Sequence, residues 1–329
     1  MSYKAIAIII MLIVFCMITQ VSGADMNSKL IITSPLTHSD WVLKDGIDLD
    51  KDGIYHMLDM CKAAGWSKIY WRVLDSGRAL YKSKYRDPMG SPDEINYFNP
   101  APEDEKIGQH NPDVLKKMAE RYHYDKLDTL KEAVEYGHKI GLQIHAWFSI
   151  NEDDHAWGWA SRFTKEHPEY RWVDRNGNPY HSQLSFAFPE VRKHKLDIIK
   201  EVVKNYKVDG VFLDWMRTGD IRKLQVDDKG VADFGYEKPM IDGFKAKYSI
   251  DPHDIPNDDM RWVQFRAEPI TDFMRSVRKY LKSTKRKLPL SVMVQHPWSY
   301  RGNQGRYADN LKGLLLDVKT WAKEGLIDS

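Results

Sequence analysis

Five times along this chain a short apolar stretch is followed by a longer run with helical spacing. That alternation constrains the fold more than any other feature. Strands separated by helices pair in parallel through right-handed crossovers, giving a barrel or a doubly wound sheet. The sharpest unit is residues 183–217. Pro189 opens a helix in which Val191, Ile199, Val202, Val203 and Tyr206 fit one buried face, and Asp209-Gly210 then leads into Val211-Phe212-Leu213-Asp214-Trp215. Side chains alternate along a strand, so Val211 and Leu213 share one face while Phe212 and Asp214 share the other. A carboxylate closing a buried strand, with Arg217 just beyond, is costly to place. In a barrel of parallel strands that end is where chemistry is done.

The remaining strands read as Leu30–Thr33, Lys68–Asp75, Leu142–Phe148 and Leu288–Gln295. Helices are expected over 52–64, 125–140, 260–282 and 311–324, a small hairpin at 170–182 around Asn176-Gly177, and a short helix near 237–248. No glycine-rich phosphate turn follows the first strand, and polar residues close several strands, which favours a (β/α)8-type TIM barrel over a doubly wound sheet. Five strands are legible, and Leu326-Ile327-Asp328 opens a sixth, so the barrel is expected to be incomplete on its C-terminal side. Open sheet edges then predict a homodimer through them, or instability.

Taking one face of each strand collects Tyr70 and Arg72, then Gln143, His145 and Trp147, then Asp214, then Gln295 with His296 beside it. Around one axis these converge. Arg72, His145 and Gln295 suit sugar hydroxyls, Trp147 a stacking wall, and Asp214 a catalytic carboxylate. Glycoside hydrolysis usually takes two carboxylates. Glu268, which follows Arg266 on the helix before the fifth strand, and Asp75, closing the second strand, are the candidates for the other. Arg217 and Arg266 are expected to hold the charge and geometry of Asp214.

Composition limits the alternatives. The 329 residues carry a net charge of +2 with Lys and Arg spread throughout, so no nucleic-acid footprint is present. The 11 Trp suit stacking on sugar rings as well as core packing. Residues 1–23 read as a signal peptide, with Lys4 before the apolar run of residues 5–18 and small residues at Ser22-Gly23. The mature chain, 24–329, is therefore expected to form one barrel domain, secreted or periplasmic, with no membrane partner after cleavage. Cys61 is then the only mature cysteine, and it falls on an apolar helix face. His38 and Asp40 share a loop and His145 stands alone, so no metal set at ligand spacing is found and no metal or cofactor is expected. Asp48, Asp50, Asp52 and Asp59 mimic a calcium loop, but position twelve lacks the bidentate Glu, and the acids equally suit a helix start.

GLQIHAWF (141–148), LSFAFPEVR (184–192), VDGVFLDWMR (208–217), WVQFRAE (262–268) and DVKTWAKEGLID (317–328) together resemble the bacterial secreted "family 10 glycosylhydrolase-like" group. The resemblance implies a TIM barrel distantly related to the amylase-like glycosidases. In those enzymes a catalytic Asp ends the fourth strand, two residues after an Arg. Asp214 matches the Asp, and Phe212 stands where the Arg would be. The acid/base Glu after their fifth strand has no counterpart here, because Gln295 and His296 occupy that place. The expected protein is an exported bacterial glycoside hydrolase acting on a polysaccharide or oligosaccharide. The alternatives are a non-catalytic carbohydrate-binding or remnant barrel, and a metal-dependent carbohydrate esterase or deacetylase.

Overall fold

The computed structural model describes residues 33–37, 41–42, 46–75, 77–89, 124–155, 159–214, 216, 226–294 and 310–329. The leader expected at 1–23 and the residues His38, Asp40, Arg217, Gln295 and His296 lie outside them.

The described residues begin with β1 (Thr33–Leu36), followed by α1 (Lys51–Ala63). The side chain of Asp50 caps α1 by accepting from Gly53 N at 2.8 Å, and Ile54, Met57, Leu58 and Cys61 form its buried stripe. Asp59 accepts from the Tyr136 hydroxyl at 2.9 Å. The acids that mimic a calcium loop thus include a helix cap and a tyrosine partner. β2 (Lys68–Asp75) and the two-residue β3 (Arg78–Ala79) follow, β3 turning back antiparallel.

Next come α2 (Thr129–Lys139) and β4 (Gln143–Ser149). Gly137 of α2 lies against Ile144, where a Cβ would meet Ile144 Cδ1 at 2.7 Å, so glycine lets this helix approach its sheet. The connection after β4 contains β5 (Asp154–His155), β6 (Trp159–Ala160), α3 (Arg162–Glu166) and the hairpin β7 (Arg171–Val173) and β8 (Pro179–Leu184). Gly177 turns that hairpin at φ 87°. α4 (Pro189–Asn205) then delivers the chain into β9 (Gly210–Asp214).

After β9 come α5 (Lys238–Tyr248), the long α6 (Met260–Ser283), β10 (Leu290–Val292) and α7 (Val318–Lys323). The last helix is shorter than the spacing of 311–324 predicts. Leu314, Leu315 and Leu316 are buried ahead of the helix, Leu315 has φ 55°, and Asp317 starts the helix by capping Thr320 N. Three successive buried leucines fill a corner here rather than one helix face.

The parallel sheet runs in the order β1-β2-β4-β9-β10, which is sequence order. A doubly wound sheet reverses direction at a switch point; this one does not. All its crossovers therefore progress one way and place the helices on one face. That face carries Ile69, Trp71, Val73, Ile144, Ala146, Phe148, Val211, Leu213 and Leu290, each wholly buried. They join the apolar stripes of α1, α2, α4 and α6 in one core. At the far edge Asp328 N donates to Leu290 O at 2.8 Å and Val292 N to Ser329 O at 2.9 Å, so the expected sixth segment does run beside β10.

Candidate active site

The opposite face of the sheet is aromatic and polar. Tyr70 stacks on Phe212 with ring centroids 4.3 Å apart and donates its hydroxyl to Ser291 Oγ at 3.2 Å. His145 packs edge-on to Tyr70, and Trp147 lies against Phe212. These contacts tie β2, β4, β9 and β10 across the inner face, as the alternation predicts.

Register decides which of these residues reach the strand ends. Ser149 pairs with Asp214, whereas His145 pairs with Gly210 at the start of β9. Four residues of strand, roughly 13 Å, separate Gly210 from Asp214. His145 is 2% exposed, and a Cβ on Gly210 would meet its Nδ1 at 2.2 Å. Burial, with Lys68 nearby, lowers its imidazole to about 4. The substrate-contact role expected for His145 therefore does not follow from its place. It is a neutral ring in the floor, because alternation reports a face and not a depth.

Trp147 and Asp214 do meet. Trp147 Nε1 donates to Asp214 Oδ2 at 3.2 Å, and Asp214 is 3% exposed. Arg72 lies over the Trp147 ring, with Cζ 5.0 Å from the centroid. Its Nη2 donates to Ser149 Oγ at 2.9 Å and stands 3.0 Å from Asp75 Oδ1 and 3.5 Å from Glu152 Oε2. Asp75 reaches this group through an irregularity: the β2–β4 register slips between Arg72 and Leu74, so Asp75 returns to the face of Arg72. Glu152 follows β4 in a tight turn, its N–H donating to Ser149 O at 3.4 Å.

One arginine therefore gathers two carboxylates beside a third at the ends of three adjacent strands. Sequence reasoning missed Glu152, which sits in the polar run Asn151-Glu152-Asp153-Asp154 and carries no periodicity. Its signal was position, directly after a strand already placed in the site.

Two expected residues lie elsewhere. Glu268 is on the outer surface of α6 with its side chain 55% exposed, and it pairs with Arg275, which also holds Asp272 and Glu324. Arg266 is wholly buried, but its guanidinium donates to the carbonyls of Ala232, Phe234 and Asn257. It braces the connection after β9 rather than Asp214.

The described part of that connection, residues 226–237, meets the one after β4. Gly235 and Tyr236 donate to Val173 O, and Val173 N donates to Glu237 Oε1 at 2.7 Å. Burial raises the Glu237 carboxyl to about 7, against hydrogen bonds from Val173, its own N–H and Ser185. Among the described residues no three His, Cys, Asp or Glu side chains stand together as a metal-ligand set.

Residues 106–329 match the profile described as "Glycosyl hydrolase-like 10". The chain is 21% identical over 324 residues to the protein called glycosyl hydrolase YngK of Bacillus subtilis, covering 93% of this chain and 53% of that one. It is 23% identical over 291 residues to glycosyl hydrolase DigH of Escherichia coli, covering 82% and 55%. The chain thus spans about half the length of these curated relatives. Among solved structures, an alpha-L-fucosidase from Paenibacillus thiaminolyticus superposes with a TM-score of 0.48 at 16% identity, over 77% of this chain and 30% of that one.

Proposed function

The chain belongs to the glycosyl hydrolase-like 10 family, and from that premise we propose that it hydrolyses glycosidic bonds in a polysaccharide or oligosaccharide, with Asp214 as a catalytic carboxylate. The observation that carries this reading is the meeting of Asp214, Trp147 and the Arg72–Asp75–Glu152 group at the ends of β2, β4 and β9. Parallel strands that surround an axis bring their C-terminal ends together, and catalytic groups of (β/α) barrels come from those ends. Sequential strand order supports the barrel. Arg72 offers hydrogen-bond donors for sugar hydroxyls, while Trp147, buried between Arg72 and Phe212, orients Asp214.

Asp75 and Glu152, gathered by Arg72 next to the strand that ends in Asp214, favour hydrolysis over the non-catalytic carbohydrate-binding or remnant barrel. We further propose that the apolar run of residues 5–18 belongs to a signal peptide and that the protein works outside the cytoplasm.

The test is release of new reducing ends from a panel of purified polysaccharides. Turnover of at least one, unaffected by chelator, is expected. Stabilisation by a glycan with no cleavage on any member of the panel would instead support a binding protein. Acetate release without new reducing ends, abolished by chelator, would support the metal-dependent esterase or deacetylase.

A further inference from the structure

The turn after β4 uses consecutive residues in opposite directions. Glu152 points to Arg72 at the strand ends, while Asp153 points into the protein between two buried cations. Asp153 Oδ1 is 2.5 Å from Arg86 Nη2, and its Oδ2 is 2.7 Å from Lys195 Nζ, with both cations almost wholly excluded from solvent. Lys195 Nζ also donates to Ile150 O at 2.8 Å, and Leu184 N donates to Asp153 Oδ2. Ile150 N in turn donates to Asp214 O at 3.0 Å. Residues 150–153 are therefore pinned to β9 on one side and to the buried ion pairs on the other. Burying three charges to fix one turn is costly, since replacing such groups with apolar ones is often neutral or stabilising. What the anchor fixes is the place of Glu152, 5% exposed beside the end of β9.

We infer that Glu152 is the second catalytic carboxylate, acting as proton donor and acceptor opposite Asp214. This rests on the glycosidase reading. Glu152 transfers its proton to the glycosidic oxygen as the C1–O bond breaks, and the bonding electron pair stays on that oxygen. Asp214, as carboxylate, faces the cationic C1 that results. Arg72, 3.5 Å from Glu152, stabilises the carboxylate left by proton transfer. Glu152 then takes a proton from a water molecule as the water oxygen bonds to C1, which restores the acid. One water is consumed per bond broken, and no other co-reactant is needed. Asp75 is the weaker candidate for this role: it stands closer to Arg72, at 3.0 Å, as its direct ion-pair partner.

Glu152→Gln and Asp214→Asn are compared with the wild-type chain on two probes, the polysaccharide that the wild type cleaves and a set of 2,4-dinitrophenyl glycosides. Melting curves that coincide with wild type establish that each variant is folded. The dinitrophenolate leaves without protonation, so loss of the proton donor slows C1–O cleavage only for the polysaccharide, while loss of the proton acceptor slows the water step for both probes. Glu152→Gln is expected to lose about 10²–10⁴-fold on the polysaccharide. It should keep formation of dinitrophenolate, which azide then accelerates, and it should lose the basic limb of the pH–rate profile. Glu152→Asp should keep measurable turnover of both. Wild-type rates for Glu152→Gln on the polysaccharide, with Asp214→Asn inactive, would overturn this inference and leave the glycosidase reading in place. A wild-type chain that cleaves neither probe would overturn the glycosidase reading, and this inference with it.

Discussion

Asp153→Asn tests the anchor beneath the site by stability alone. Burial would push the Asp153 carboxyl up, yet Lys195 and Arg86 overcome that and hold it at about 2. Against the ordinary carboxylate value, this shift corresponds to about 2 kcal/mol in favour of the folded, ionised form. That stabilisation is present above the ordinary value and is lost as pH falls towards 2. The amide costs more than this, because it leaves Arg86 and Lys195 buried without their counter-charge. Breaking a buried pair in this way costs about 3–5 kcal/mol, a fall in melting temperature of roughly 6–20 °C.

Lys195 gives the loss a pH signature. Burial lowers its ammonium to about 8 even with Asp153 beside it. Between about 8 and the ordinary lysine value of 10.5 the unfolded chain holds a proton that the folded chain has released, so wild-type stability rises with pH there. Without Asp153 the folded-state value falls further, and the variant starts gaining stability at lower pH. The deficit should be largest near pH 6 and narrow towards pH 8. Adding Lys195→Met should return part of the loss, because it removes an uncompensated buried charge. Urea unfolding at several pH values measures all three effects. A deficit under about 1 kcal/mol that stays flat from pH 6 to 8 would show that Asp153 does not hold the two buried cations in place.

Three further outcomes follow from other contacts. Glu237 is held at about 7 by burial. Between the ordinary glutamate value and about 7 the folded chain keeps a proton that the unfolded chain has lost, so wild type loses about 3 kcal/mol as pH rises through that window. Glu237→Gln should flatten that slope in urea melts. Gly210→Ala drives a methyl into His145 and should cost about 1–3 kcal/mol; with His145→Ala the pair should be more stable than the two single losses predict, as a double-mutant cycle would show. Glu268→Ala removes only a surface partner of Arg275, so melting temperature and turnover should both stay at wild-type values.

Much of this was legible in the sequence, and the failures have physical causes. The two-residue alternation in β4 and β9 gave the inner face correctly, because one face is packed under helices and the other is not. It could not rank His145 and Trp147 by depth, since only the pairing register does so. The slip in β2 that turns Asp75 back towards Arg72 leaves no pattern in the residues themselves. On α6, Arg266 and Glu268 lie two positions apart, about 200° around a helix, so both cannot face one site. The apolar stripe takes Arg266 inward and leaves Glu268 in solvent, a distinction helical geometry already supplied. Glu152 was hidden for the opposite reason: turns have no period, and only the fold shows which of four neighbouring polar residues faces the strand ends.

The central claim is that Asp214 does chemistry. Its most direct measurement is the initial rate of cleavage by the Asp214→Asn chain relative to wild type, on the best polysaccharide of the panel, with both melting curves recorded. A folded variant whose rate falls at least ~10³-fold is expected, the loss of a carboxylate acting at the reacting carbon. A folded Asp214→Asn chain that cleaves at the wild-type rate would contradict it.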